Sequence, residues 1–252
     1  MSTVTPAFFD NRYLPNPEPV YVCWLDVMGT QNSMLRSVKT AANFVAKLHD
    51  AVLTQAKQND TKSIRLFPMM DGVYIKSPRQ GPLRYFLSGV LRQLAETFLQ
   101  EKTPWFRFLV RGCIAFGPLV DGKDITDEMA SRSLFANPDY RNTILLGIAL
   151  AQAFRGERQA PPFGISIDES ARAFAGCDEE PFSFIWWDWY SKSDPPLDQQ
   201  KMYDALVEHF DWCITHSITI GYEIERIKHH KNLVEEYWNR TRRGQSIETP
   251  AL

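Results

Sequence analysis

Apolar and polar positions along this 252-residue chain alternate between two rhythms. Val20–Val27 is an almost unbroken apolar run, the pattern of a strand buried on both faces. Ala41, Val45, Leu48 and Val52 recur at helical spacing and predict a helix over Ser37–Gln58. Short apolar runs at Ser63–Pro68 and Val73–Lys76 predict a hairpin with Asp71-Gly72 near its turn. Leu83, Phe86, Leu87, Val90, Leu94 and Phe98 mark a second amphipathic helix, Leu83–Glu101. A strand is expected over Phe106–Phe116, ending at Gly117-Pro118, with a turn at Asp121-Gly122. Residues 123–142 look irregular; Asn142–Gly156 reads as a helix and Pro162–Ile167 as a strand. The order β-α-β-β-α-β predicts an α+β, ferredoxin-like sheet with helices packed on one face.

The last third differs. Phe182–Tyr190 contains Trp186-Trp187-Asp188-Trp189-Tyr190, which we read as core or interface packing because large aromatics anchor both. Two helical patterns follow, one on Tyr203, Leu206, Val207 and Phe210, the other on Ile220, Ile224, Ile227, Val234 and Tyr237. The expected organisation is an N-terminal extension at 1–19, a catalytic domain at 20–180, and an aromatic and helical extension at 181–252 packed on the same core.

Composition narrows the function classes. The chain is 44% hydrophobic and 13% aromatic, enough for a sizeable core. A net charge of −2 removes the electrostatic case for a duplex nucleic-acid binder. No apolar run approaches the roughly 20 residues that span a bilayer, and the Pro-rich N-terminus has no apolar signal-peptide core, so a cytoplasmic protein without nucleic-acid or membrane partners is expected. The four cysteines form no C-x-x-C pair and the five histidines no metal-ligand pattern; we read the cysteines as small buried residues.

Two aspartates carry the candidate chemistry. Asp26 ends the run Tyr21-Val22-Cys23-Trp24-Leu25, and Asp71 follows Leu66-Phe67-Pro68-Met69-Met70. A carboxylate in so apolar a setting is costly unless it is paired or holds a metal. Brought together on neighbouring strands, the two would repel, and a divalent cation would relieve that repulsion. Gly29 permits a tight turn after the first strand, so that the amides of Gly29, Thr30 and Gln31 would face an anion near a helix start.

Four segments carry a family resemblance. Leu25-Asp26-Val27-Met28-Gly29-Thr30-Gln31 resembles the first metal motif of class III nucleotidyl cyclases, and Met70-Asp71-Gly72 the second. Arg111-Gly112-Cys113-Ile114-Ala115-Phe116-Gly117-Pro118 resembles the family strand that begins with arginine and ends Gly-Pro. Gly147–Arg155 resembles its helix of transition-state residues. The segments stand in the family order over about residues 20–175. The Arg-Gly-x-Ile-Ala-x-Gly form and Pro161-Pro162-Phe163-Gly164-Ile165-Ser166-Ile167 look closest to the pyrimidine cyclases of Pycsar antiphage systems.

The resemblance implies a ferredoxin-like class III nucleotidyl cyclase catalytic domain with a C-terminal helical appendage. It implies two Mn²⁺ or Mg²⁺ ions per site, held by Asp26, Asp71 and the Val27 carbonyl, since such ions suit carboxylate and carbonyl oxygens. Arg111 would meet the triphosphate, and Arg155 the charge developing on the α-phosphate. Ala151 replaces the family asparagine, with Gln152 as an alternative donor to the ribose. Phe67 and Ile144 are apolar where purine cyclases read the base, and Arg65 stands at the base-contacting lysine, which leans toward uracil. The implied protein is a cytoplasmic homodimer with shared active sites that converts UTP to 3′,5′-cyclic UMP and pyrophosphate in antiphage defence, signalling to a separate cyclic-nucleotide effector. Cytidylate cyclase activity, synthesis of a linked dinucleotide, and a catalytically inactive nucleotide-binding homologue are the alternatives.

Overall fold

The computed structural model describes residues 16–58, 63–125, 132–192 and 196–240. β1 (Glu18–Val27) leads through α1 (Thr30–Arg36) and α2 (Val38–Gln58) to the hairpin β2 (Arg65–Met69) and β3 (Gly72–Ser77). Next come α3 (Gln80–Gln100), β4 (Val110–Asp121), α4 (Arg132–Phe135), α5 (Pro138–Arg141), β5 (Leu145–Gly147), α6 (Ile148–Gly156), β6 (Ile165–Ile167), α7 (Glu169–Ala173) and β7 (Trp186–Trp187). The chain closes with α8 (Gln199–Thr215), α9 (Ser217–Ile220) and α10 (Ile224–Arg240).

The strands form one sheet in the order β2-β3-β1-β4-β6-β7, with β5 also on β4. Its first four members are antiparallel neighbours, the 2-3-1-4 arrangement expected of a ferredoxin-like α+β fold. Seven of β1's ten residues are buried at the centre of this sheet, and alternation sends their side chains to opposite faces. Tyr21, Cys23, Leu25 and Val27 join the main core with residues of α2 and α3. Val20, Val22 and Trp24 join a smaller core with Phe67, Tyr74, Ala115, Ala149 and Ala153. Helices therefore lie on both faces, not one: α6 covers part of the face opposite α2 and α3. Its small Ala149 and Ala153 allow that close approach.

Several boundaries differ from the pattern along the chain. β4 does not stop at Gly117-Pro118 but runs to Asp121. Beyond the proline, which has no N–H to donate, β5 supplies the partner at Leu119–Asp121. The segment read as the start of a helix at Asn142 is thus partly a strand, and α6 begins only at Ile148. The final helical pattern breaks at Gly221, whose φ of 59° caps α9. Part of the irregular stretch, 126–131, lies outside the described residues, as do 1–15 and 241–252.

The main core runs without interruption from β1 to Trp238. Trp187, Trp189 and Tyr190 are buried, and Trp189 Nε1 donates to the Phe163 carbonyl at 2.7 Å. Tyr190 stacks on Trp238 with centroids 4.4 Å apart. The dense aromatic segment is thus packing against helices α3 and α10, not an open stacking surface. Trp189→Ala is expected to cost about 3–5 kcal/mol in equilibrium urea denaturation, because it removes a fully enclosed ring and orphans a carbonyl. A cost below about 1 kcal/mol would show that this aromatic layer is not integral to the core.

Candidate functional site

Asp26 is the last residue of β1 to face the smaller core. On adjacent strands it lies opposite Gly72 on one side and Arg111 on the other. Asp71 immediately precedes Gly72 in the β2–β3 turn, where Met70 adopts a φ of 52°. Gly72 is required here by contact: a Cβ would lie 2.5 Å from the Trp24 ring and 2.7 Å from the Leu25 carbonyl. The hairpin can therefore press against the end of β1 and bring Asp71 beside Asp26. The Asp26 carboxyl is pushed up to about 7 by burial, then by the charges of Asp71 and Glu157. A backbone hydrogen bond at Val27 and the charge of Arg111 oppose the shift without cancelling it. Asp26 Oδ1 is buried and has no hydrogen-bond partner.

The turn after β1 also takes shape. Gly29 has a φ of 74°, a left-handed conformation that favours glycine, and it caps α1. Thr30 is buried, and its hydroxyl donates to the Val27 carbonyl at 2.8 Å. That carbonyl keeps a second lone pair. Gln31 is exposed.

Arg111 is buried and tightly engaged. Its Nε donates to Glu157, itself buried, and its Nη1 lies 3.5 Å from the Arg158 carbonyl and 3.3 Å from His230 Nε2. Burial, then the charges of Arg111 and Arg226, lower His230 to about 3, so the ring is neutral. Accepting from Arg111 at Nε2 places its proton on Nδ1, which donates to the Tyr222 hydroxyl. A chain Glu157–Arg111–His230–Tyr222 thus ties β4 to the C-terminal helices.

Arg65 and Phe67 face the same side of the sheet as Asp26. Phe67 is buried against Trp24 and Tyr74, with the Arg65 guanidinium 5.0 Å over its ring. Arg65 pairs with Asp121, which Lys76 Nζ also reaches at 3.0 Å. Burial alone would raise the Asp121 carboxyl, but hydrogen bonds from Lys76 and Arg65 hold it below the usual range. The sequence reading missed Lys76 and Asp121. Their signals were faint: a lysine ending Val73-Tyr74-Ile75, and an aspartate in an ordinary Asp-Gly turn.

Arg155 is exposed on α6 and lines a separate open groove with Ala151, Phe154 and Arg158. None of the Asp26 cluster lines that groove. Gln152 Oε1 is buried without a partner. The fold therefore brings together Asp26, Asp71, Val27, Gly29, Thr30 and Arg111, sets Arg65 and Phe67 further along the same face, and leaves Arg155 outside. Among the described residues, no group of three or more His, Cys, Asp or Glu side chains is placed to hold a metal.

Solved structures with a similar backbone path include three cyclases. One is the dimeric guanylyl cyclase domain of the RhoGC fusion protein from the aquatic fungus Blastocladiella emersonii, with a TM-score of 0.45 and 20% identity over 64% of this chain and 84% of that one. Another is the guanylate cyclase domain of RhGC from Catenaria anguillulae in complex with GTP, with a TM-score of 0.44 and 18% identity over 62% of this chain and 81% of that one. A bacterial light-regulated adenylyl cyclase gives a TM-score of 0.44 and 12% identity over 62% of this chain; the match spans 46% of that protein's length. No protein-family model and no curated protein matches the sequence.

The Asp26 environment predicts a pH-dependent stability. Its folded pKa of about 7 exceeds the ordinary 3.8, so the folded state binds the extra proton between those values. Stability of the metal-free protein therefore falls as pH rises from about 4 to 7, by up to roughly 4 kcal/mol. Asp26→Asn should flatten that slope and be the more stable protein at pH 8 in EDTA. Parallel slopes for the two proteins in urea denaturation at pH 5 and 8 would remove the proposed burial and repulsion.

Proposed function

We propose that this chain is a metal-dependent nucleotidyl cyclase of the class III kind, closing a nucleoside triphosphate into a 3′,5′-cyclic nucleotide and pyrophosphate. The observation that carries the reading is the convergence of Asp26 and Asp71, with Asp26 Oδ1 buried and unpartnered. The ordered motifs around Asp26, Asp71, Arg111 and Gly147 support it. So does the all-oxygen donor set, which fits Mn²⁺ or Mg²⁺: Asp26, Asp71 and the Val27 carbonyl would hold the ions, and oxygens of the triphosphate would complete their shells. When bound, such ions neutralise phosphate charge and acidify the ribose 3′-hydroxyl.

The chain's own residues have distinct tasks in this reaction. The 3′-oxygen loses its proton and attacks the α-phosphorus, and the bond from that phosphorus to the bridging oxygen of the β-phosphate breaks. The Gly29–Gln31 amides would hold the departing pyrophosphate. Arg111, opposite Asp26, would turn its fork of donors from Glu157 to the triphosphate. Arg155 would stabilise charge on the α-phosphate from the partner protomer, which accounts for its place outside the Asp26 cluster. A symmetric homodimer would then contain two sites.

The substrate reading is UTP. Phe67 and Ile144 offer no hydrogen bonds to a purine edge, and the Arg65–Phe67 stack narrows that end of the face. The biological setting we infer is second-messenger synthesis in bacterial antiphage defence, with a separate effector sensing cyclic UMP. One other reading has an observation behind it. Ala151 lacks the family's ribose donor and Glu157 already occupies Arg111, an arrangement that suits a nucleotide-binding protein without turnover.

Purified protein given each of the four nucleoside triphosphates with Mn²⁺ should yield cyclic UMP and pyrophosphate, identified by mass. Asp71→Ala and Arg155→Ala homodimers should each be nearly inactive, and their mixture should recover activity, since one site of the heterodimer keeps both intact halves. Tight nucleotide binding without pyrophosphate release would replace the enzyme by the binding protein. Confirmed heterodimers that stay inactive would remove the shared site.

A further inference from the structure

The C-terminal helices reach the candidate site through His230. This residue of α10 is 4% exposed and lines a solvent-open cavity together with Gly29, Arg111 and Tyr222. The turn before α10 is latched to the helix that follows Gly29: Asn32 Nδ2 donates to the Gly221 carbonyl at 2.6 Å. Tyr222, next along that turn, takes the hydrogen bond from His230 Nδ1. The imidazole is thus held at both nitrogens, by Tyr222 on one side and Arg111 on the other.

What the ring holds in turn is one edge of a guanidinium. Arginine has five N–H donors. The Nε donor of Arg111 goes to Glu157, and Nη1 faces the Arg158 carbonyl at 3.5 Å and His230 Nε2 at 3.3 Å. Among the described residues, Nη2 has no hydrogen-bond partner. Nε and Nη2 form the edge that grips two oxygens of a phosphate side by side, while Nη1 lies on the other side of the group. A phosphate can therefore take Nη2 and displace Glu157 from Nε without disturbing His230. Without the His230 acceptor, the guanidinium is free to swing. Asp26, its register partner on β1, carries a buried oxygen with no hydrogen bond and would attract it. An arginine paired there is lost to the phosphate.

We propose that His230 is a positioning residue for the triphosphate: it fixes Arg111 through Nη1, so that the Nε–Nη2 edge is presented to two phosphate oxygens. This role rests on the reading of Arg111 as a triphosphate ligand, not on turnover or on the choice of base. It gives the last helix a task in binding, beyond completing the core.

The test is isothermal titration calorimetry of the full chain with Mn²⁺ and the α,β-methylene analogues of UTP and ATP, whose bridge to the leaving group does not break. His230→Leu should weaken binding about tenfold or more, the worth of a hydrogen bond to a charged group. His230→Gln can accept through Oε1 and should stay within about threefold of wild type. Tyr222→Phe removes only the oxygen that fixes Nδ1 and should weaken binding about threefold. In an Arg111→Ala background, His230→Leu should change nothing further, whereas a merely structural role would add its own cost. Near-ultraviolet circular dichroism should match wild type throughout. Pyrophosphate release from each nucleoside triphosphate is measured in parallel. Affinity unchanged in both His230→Leu and Tyr222→Phe, or costs that add in the double variant, would overturn the positioning role; release by the wild-type protein would then leave the cyclase reading standing. The expected binding pattern without pyrophosphate release would do the reverse. No saturable binding of either analogue would remove the positioning role together with the triphosphate site.

Discussion

Two carboxylates forced together at the end of the sheet's central strand set the constraint on which the candidate site depends. Asp26 stands on a strand otherwise committed to core packing, and the side chain has lost most of its water. Asp71 arrives beside it because Gly72 lets the hairpin touch Trp24 and Leu25. The result is an acid held near neutral pKa with an unpartnered oxygen. Folding does not relieve this arrangement; a bound cation would. Such local cost, imposed by the strongest packing in the fold, is where function is expected to reside.

The C-terminal third acts on the same region from behind. Its aromatic residues complete the main core, and α10 sends His230 to the Arg111 guanidinium. Arg111 therefore answers to three demands: Asp26 across the strand pair, Glu157 after α6, and His230 from the last helix. The neutral state of His230 matters here, because a charged ring would repel the guanidinium instead of accepting from it. A layer that looks like an appendage along the chain is a structural brace for the candidate site.

Much of this was legible in the sequence, for reasons particular to each element. β1 announced itself because a strand buried on both faces must be apolar at nearly every position. Asp26 and Asp71 stood out because a charge in such company needs a reason. Other features were hidden. β5 has three residues, and its Leu145 and Leu146 merge with the apolar positions of α6, so one helix was expected where a strand precedes it. The extension of β4 past Pro118 depends on a partner strand that only tertiary structure supplies. Lys76 and Asp121 meet across an intervening strand, and Arg111 and His230 lie 119 residues apart; neither pairing has a local signature.

Calorimetric titration of Mn²⁺ into the metal-free protein near pH 6, in two buffers with different ionisation heats, tests the paired-acid cradle most directly. Asp26 is largely protonated there, so each protein molecule should release close to one proton as Mn²⁺ binds, and Asp71→Asn should bind far more weakly. Mn²⁺ binding that releases no proton, or that is as tight in Asp71→Asn as in the parent chain, would contradict the account.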